Sequence, residues 1–382
     1  MKVVILGGCG AVGASIVRDL IKSDEVEKVC IAGRKIHMTN VHESVQSSKK
    51  VSTQTLDITD FQALVQAIKG NNVVVNCVGP FYRFGIPTMK AAVEAGVNYL
   101  DIMDDYDTTI AAFDEMDEPA KKAGVSICVG FGLGPGFTNL IMKYGANKLD
   151  QVDVIRLLWG WALNDLTGPS TIAHMWHVLQ GDVPQYLDGK LVYVPAGSGE
   201  EVVDFGEPYG KCPVYYIGHP EPVTIPRYIK GVKTVDEKAC ILPLWMNEVA
   251  FKLSECGFVD NEPIMVDGKP VIPRNFIAEI MQNGVSFRRQ VEEYRISPSC
   301  IVVKGKEGNK AVSYTYASQG KMLPGTAIPA SMFTQMLGLG DIKVKGVVAP
   351  EGAVDPESFF AKFAKRGFRL SEQKAVTQEV EF

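Results

Sequence analysis

Lys2-Val3-Val4-Ile5-Leu6 is an unbroken apolar run that stops at glycine, the mark of a strand buried on both faces. Ile16, Val17 and Leu20 then recur at helical spacing within Ala14 to Lys22, and Lys28 to Ala32 is a second apolar run. The alternation continues with a strand over Ser52 to Leu56, a helix from Asp60 to Ile68 and a strand from Asn72 to Val78. A helix opened by Pro87 and ended by Gly96, a strand over Val97 to Ile102, a helix over Asp107 to Ala123 and a strand over Val125 to Val129 complete the series. About six strands alternating with helices predict an α/β fold, a Rossmann-like doubly wound parallel sheet. Ligands of such sheets bind beyond the carboxyl ends of the strands.

The pattern changes after residue 150. Val152 to Leu163 suits a strand of a half-buried sheet, Ser170 to Gln180 a helix, and 181–240 short strands and turns. Helices are predicted over Leu244 to Cys256, Arg274 to Gln282 and Ala327 to Leu337. Cys300 to Lys304 and Val312 to Ala317 form a hairpin across Gly305 to Asn309. Ile342 to Val348 is a strand, and Pro356 to Arg366 is a final helix ending at Gly367. The simplest arrangement is a second α/β (α+β) domain, a strand-rich sheet covered by helices.

Composition narrows the function classes. The chain has 382 residues, 46% of them hydrophobic, and a net charge of −5. That size supports a large core, and the acidic balance lacks the basic face that nucleic acid or an anionic membrane requires. There is no apolar run of the roughly 18 residues that a membrane span needs. Eight cysteines without a C-x-x-C pair read as reduced thiols of a cytosolic protein. Met1 to Cys9 mimics a lipoprotein leader, but its apolar stretch is shorter than the roughly 7–15 residues of a secretory segment.

Gly8, Gly10 and Gly13 satisfy G-x-G-x-x-G between a strand and a helix. The glycines permit a tight turn, close approach of a pyrophosphate and close helix–strand packing. With Ala11 and Val12, they place free N–H groups at a helix N-terminus. The second strand ends in Arg34-Lys35 and has no carboxylate for a ribose 2′-OH, so the cofactor reads as NADP, with NAD possible. Asp57 and Ile58 at the third strand's end, and Asn76, Gly79 and Pro80 at the fourth, complete the cofactor-binding set.

Several segments in order resemble the saccharopine dehydrogenase (saccharopine reductase-like) family. They are the glycine turn at 7–13, Val75-Asn76-Cys77-Val78-Gly79-Pro80-Phe81, Asn98-Tyr99-Leu100-Asp101, and Gly130 to Asn139. His219-Pro220-Glu221-Pro222, Thr224-Ile225-Pro226-Arg227 and Gly346 to Glu351 follow. The resemblance implies a Rossmann domain over 1–133, a substrate and dimerisation domain over 134–348 and a C-terminal return to the first over 349–382. It also implies a homodimer and hydride transfer at a carbon–nitrogen bond of an amino-acid or polyamine-like substrate, with the nicotinamide between the domains. Gly134 and Thr138-Asn139 depart from the saccharopine reductase pattern, and the lysine dehydrogenase-like branch is closer at this loop.

Imine chemistry needs a proton carrier for the nitrogen and cations or N–H groups for a carboxylate. Asp101 follows the fifth strand and is a candidate catalytic group, with Asp104 beside it for a substrate ammonium. Asp105 and Asp107 fit helix capping equally well. Phe131, Gly132, Pro135 and Thr138 line a loop whose N–H groups could hold a substrate carboxylate. His219, Glu221 and Arg227 share one face if that segment is extended, and the prolines there make it an edge or loop. His219 is then an acid–base candidate and Arg227 a carboxylate clamp. His174 and His177 have no third metal ligand nearby in sequence, so no metal is assigned. The reading is an NADP-dependent oxidoreductase acting on a C–N bond. A lysine 6-dehydrogenase-type deaminase and a non-catalytic NADP-sensing regulator are the alternatives.

Overall fold

The computed structural model describes residues 1–165, 168–366 and 370–377, with residue 40 described by its backbone alone. The chain divides into two compact units, Met1–Leu140 with Leu323–Asp355, and Ile141–Met322 with Pro356–Phe382.

The first unit is built on seven parallel strands in the spatial order Gly346–Val348, Ser126–Cys128, Asn98–Asp101, Val73–Asn76, Lys2–Leu6, Lys28–Gly33 and Val51–Thr55. The chain reverses its direction of sheet growth at Lys2–Leu6, which makes that strand and Val73–Asn76 the topological switch where a dinucleotide binds. Register aligns the strand ends: Ala32 pairs Leu6, Leu6 pairs Asn76, and Asn76 pairs Asp101. The central strands are fully buried, Val73, Val74 and Val75 having no exposed surface, as the unbroken apolar runs require.

Three departures from the sequence pattern have local causes. The helix read as opening at Pro87 spans Phe81–Ala95 and carries Pro87 inside it. It starts earlier because Pro80 occupies the N-cap position and the Asp105 carboxylate accepts the Tyr82 N–H at 2.9 Å. The helix expected over 107–123 is Tyr106–Ala111 and Asp117–Ala123 joined by a π-helical turn at Ala112–Met116. The return to the first unit runs over Leu323–Asp355, earlier than 349–382, because Gly346–Val348 extends the parallel sheet beside Ser126–Cys128. A Cβ on Gly338, near the end of helix Met322–Leu339, would lie 2.4 Å from Met1 Cε, so the Met1 side chain would have to move.

The second unit holds a nine-stranded mixed sheet. Its main path runs Glu201–Asp204, Lys211–Tyr216, Thr234–Leu242, Gln151–Ala162, Ser297–Glu307, Lys310–Gly320 and Ser371–Thr377. Thr234–Leu242 pairs parallel to Gln151–Ala162, and the long hairpin 297–320 lies antiparallel beside them. The segment after 370 joins this sheet by pairing with Lys310–Gly320, so 356–377 belongs to the second unit rather than the first. The helix expected to stop at Gly367 spans Pro356–Ala364; Gly367 itself lies outside the described residues. Among the described residues no helix is long and apolar enough to cross a membrane.

One face of the two parallel strands carries a half-buried ion network. Arg156 forks onto Asp236 with two bonds of 2.7 Å and reaches Glu201 at 2.8 Å. Lys238 meets the same Glu201 at 2.8 Å and lies 4.4 Å above the Tyr216 ring. Asp236 is 5% exposed, so Arg156 is what neutralises it. Removing one partner of such a pair leaves an uncompensated buried charge, a cost of about 3 kcal/mol. Arg156→Met is therefore expected to lower the urea unfolding midpoint by that equivalent; an unchanged midpoint would show that the network contributes no net stability.

Candidate functional site

The glycine turn of the first unit forms an open cradle. Gly7 adopts φ +75°, so the left-handed residue of the turn lies one position before the G-x-G-x-x-G pattern. A Cβ on Gly13 would lie 2.5 Å from the Gly7 carbonyl oxygen, which identifies Gly13 as the close-packing glycine. Gly10 caps helix Ala11–Leu20 without a side-chain hydrogen bond. Among the described residues, no acceptor meets the N–H groups of Ala11, Val12 and Gly13. Three outward N–H donors and the positive helix end fit a pyrophosphate. Arg34 and Lys35 are exposed just past the adjacent strand, Lys28–Gly33, where a 2′-phosphate requires cations. The residues present therefore fit NADP.

The remaining predicted cofactor contacts bond or pack within the chain, Asp57 doing so at an exposed position. Asp57 accepts the Thr59 N–H at 3.0 Å and the Thr59 hydroxyl at 2.8 Å; these bonds, with Arg34 nearby, hold its carboxyl below the usual range. Ile58 packs on the core. Asn76 is fully buried, donating to the Tyr99 hydroxyl at 3.1 Å and accepting the Val78 N–H at 3.0 Å. Gly79 and Pro80 are half-buried between this strand end and helix Phe81–Ala95.

Asp101 is the hub of the strand ends. Its Oδ2 accepts the Tyr99 hydroxyl at 2.9 Å, and its Oδ1 accepts the Gly130 N–H at 2.7 Å and the Met103 N–H at 3.2 Å. Asn76, Tyr99 and Asp101 thus form one chain of bonds, ending on the loop after the sixth strand. Asp101 has no exposed surface, and burial pushes its carboxyl up to about 7 despite the three donors. Both oxygens serve the fold, so Asp101 acts as a positioning residue and not as an open contact for a substrate nitrogen. Asp104 is half-buried beside it, and Asp105 is the group that ties the start of helix Phe81–Ala95.

The loop expected to cradle a carboxylate is closed on itself. The Gly136 N–H donates to Asn139 Oδ1 at 2.8 Å, the Phe137 N–H to the Gly132 carbonyl at 3.0 Å, and the Thr138 N–H to the Leu133 carbonyl at 2.9 Å. The Thr138 hydroxyl donates to the same Leu133 carbonyl. Unlike Ala11 to Gly13, these donors are spent. Phe131 is wholly buried against Phe333, ring centroids 4.9 Å apart, and Gly132 and Pro135 are buried as well. The loop shapes a wall, and its N–H groups do not form an anion site. Gly136, at φ +132°, has no room for a Cβ, which would lie 2.1 Å from the Gly132 oxygen.

In the second unit, His219 stands at the centre of a buried acidic cluster. The segment read as an edge or loop is a helix, Glu221–Tyr228, with Pro220 at its N-cap. Proline is at home in a first helical turn, where its missing N–H is not needed. A helix does not bring odd positions to one face, and Arg227 is exposed near its end while His219 and Glu221 are each 1% exposed. Arg227 is therefore not brought into the cluster. Glu237 takes that place: its Oε1 lies 3.2 Å from His219 Nδ1, and Glu221 Oε2 lies 2.5 Å from the same nitrogen. Trp159 Nε1–H donates to Glu237 Oε1 at 2.8 Å. Gln185 fixes both chains by accepting the Glu237 N–H at 2.9 Å and donating to the Ile217 carbonyl at 2.9 Å. The His174 ring stands 5.7 Å from that of His219.

The charges of this cluster are interdependent. Burial alone would lower the proton affinity of His219, but Glu221 and Glu237 outweigh it and hold the imidazole well above its usual value. Burial likewise opposes ionisation of Glu221, and the His219 charge reverses that and keeps it ionised. Glu237 is left with burial and the Glu221 charge, which push it up to about 8. Sequence reasoning missed Glu237, although period two in Thr234–Leu242 sets it on the same face as Val235 and Ala239, one charge among apolar neighbours.

Comparison with known proteins bears on the family and the fold. The family description "Saccharopine dehydrogenase NADP binding domain" matches residues 3–128, and "Saccharopine dehydrogenase C-terminal domain" matches residues 171–368. The chain is 23% identical over 407 aligned positions to the carboxyaminopropylagmatine dehydrogenase of Synechocystis, covering 96% of each. It is 30% identical over 183 residues to a lipid droplet localized protein of Caenorhabditis elegans, covering 44% of this chain and 41% of that protein. Apo saccharopine dehydrogenase (L-Glu forming) from Saccharomyces cerevisiae shares the fold, with a TM-score of 0.68 at 15% identity over 99% of this chain and 100% of that one.

Two outcomes follow. Joint replacement of Arg34 and Lys35 by Ala is expected to weaken NADPH binding by at least tenfold and to spare NADH; equal loss of both would remove these cations from 2′-phosphate recognition. Asp101 binds its proton more tightly folded, at about 7, than in the unfolded chain at 3.8. The native state therefore holds the extra proton between about pH 4 and pH 7, and stability falls as pH rises through that window. Asp101→Asn is expected to flatten this slope in urea unfolding at pH 5 and pH 8, and an unchanged slope would contradict the assignment.

Proposed function

This chain belongs to the saccharopine dehydrogenase family, an NADP-binding oxidoreductase by that membership, and on that premise we propose that it interconverts an amine and an imine at a C–N bond of an amino-acid or polyamine-like substrate. The observation that carries the reading is the hold on His219. Its Nδ1 is committed to Glu221 and Glu237, which fixes the ring, and the proton transfer is therefore assigned to Nε2. The same division of labour orients other catalytic imidazoles, a carboxylate on one nitrogen and the reacting proton on the other.

NADP, when bound, supplies or accepts the hydride. The glycine turn holds its pyrophosphate through the N–H groups of Ala11, Val12 and Gly13, and Arg34 and Lys35 meet the 2′-phosphate. In the dehydrogenation direction the carbon loses a hydride and the nitrogen loses a proton, which His219 Nε2 accepts. In the reverse direction, the imidazolium returns that proton as the imine carbon is reduced. Asp101 keeps the 130–136 loop in place through the Gly130 N–H, so its contribution is positional. The Synechocystis relative, named for a substituted agmatine, supports a substrate with more than one amine-like nitrogen. A cytosolic homodimer is part of this reading, supported by eight unpaired cysteines and by apolar side chains left exposed over Trp245 to Val285; sedimentation of the purified protein checks its oligomeric part.

The test is a coupled panel. Amino acids and polyamines are offered with NADP+, and amine plus keto-acid or aldehyde pairs with NADPH. Turnover is expected for one such set. With that substrate, His219→Gln is expected to lower kcat by about 10²–10⁴ while leaving NADPH affinity intact. Wild-type kcat in His219→Gln would remove the imidazole from the chemistry.

A further inference from the structure

Glu237 is the buried group whose second oxygen the proposed chemistry leaves without a part. It lies on the strand Thr234–Leu242 with no exposed surface. Its Oε1 is held by Trp159 N–H and faces His219, but its Oε2 has no hydrogen-bond partner among the described residues. An orphaned carboxylate oxygen inside a protein is costly unless it carries a proton or a cation compensates it. His219 stands between the two carboxylates, its Nδ1 2.5 Å from Glu221 Oε2 and 3.2 Å from Glu237 Oε1. His219 Nδ1 and Glu221 Oε2 form a direct hydrogen bond.

We infer that Glu237 is a positioning residue that sets when His219 takes up and gives off its proton, the three side chains exchanging charge as one unit. The inference rests on the reading of His219 as the acid–base group and adds a residue to it. A proton arriving on Nε2 creates an imidazolium whose charge Glu221 balances. Glu237 then adds a second negative charge or, when protonated, none, so its state controls how tightly the ring keeps the proton. The groups facing Glu237 and His219 are Glu221 on the following helix, Trp159 on the neighbouring strand, His174 on helix Pro169–Val178 and the Gln185 amide.

The decisive variant is Glu237→Gln, which keeps the size and the acceptor for Trp159 but not the charge. Imidazole NMR follows His219 directly; the chain has five histidines, and His219→Gln and His174→Gln assign the two signals of interest. Loss of the Glu237 charge removes attraction for the imidazolium, so the His219 midpoint is expected to fall by about one to three pH units. The limb of the kcat/KM profile for amine oxidation moves to lower pH by the same amount, because the ring must be unprotonated to accept a proton. Trp159→Phe, which removes the donor favouring ionised Glu237, is expected to shift the midpoint the same way by less, and it serves if Glu237→Gln does not fold. The NMR arm needs no turnover. A shifted midpoint with no active substrate would therefore keep this inference while the proposed function fails. An unmoved midpoint in an active enzyme, or a stoichiometric divalent ion removable by chelator, would overturn the inference.

Discussion

A carboxylate taken out of water must be answered by donors or cations, and that requirement organises the functional parts of both units. In the first unit the carboxylate is Asp101. Three donors converge on it, and through them it fastens the end of one strand to the loop after the next. In the second unit the carboxylates are Glu221 and Glu237, and the answer is a histidine locked between them. The difference in what answers the charge decides the difference in role. Backbone N–H groups and a tyrosine hydroxyl hold both Asp101 oxygens to the fold, so its part is positional. The imidazole is itself a proton carrier, which is why the proposed proton transfer is assigned to the second cluster.

Two of the helix N-termini make the same point about donors. Both follow a glycine-rich loop and both looked like anion sites. At Ala11 the N–H groups have no acceptor among the described residues, whereas at Phe137 the loop turns back and supplies its own carbonyls. Open donors invite a phosphate; satisfied ones fix a shape. The distinction depends on the path of the loop backbone and not on its composition.

The parallel sheet was legible because unbroken runs such as Val73-Val74-Val75 admit few other fates, and the cofactor turn because its glycines fall between a strand and a helix. The last strand of that sheet, Gly346–Val348, was visible as a strand but not as a partner of Ser126–Cys128, since pairing across more than 200 residues leaves no local signal. His219 stood out as a histidine among prolines, yet the prolines suggested an extended segment, while the fold uses Pro220 and Pro222 to start a helix. Glu237 stayed hidden because its meaning depends on His219, and only the sheet brings the two together. Arg227 was chosen on an assumed periodicity of two and was lost when the segment proved helical.

The most direct measurement of this account is a crystal structure of the protein with NADP+ and the active amine bound. The account predicts His219 Nε2 within about 3.2 Å of the substrate nitrogen, with Nδ1 still on Glu221 and Glu237. A substrate nitrogen facing another proton carrier, with His219 out of reach, would contradict it.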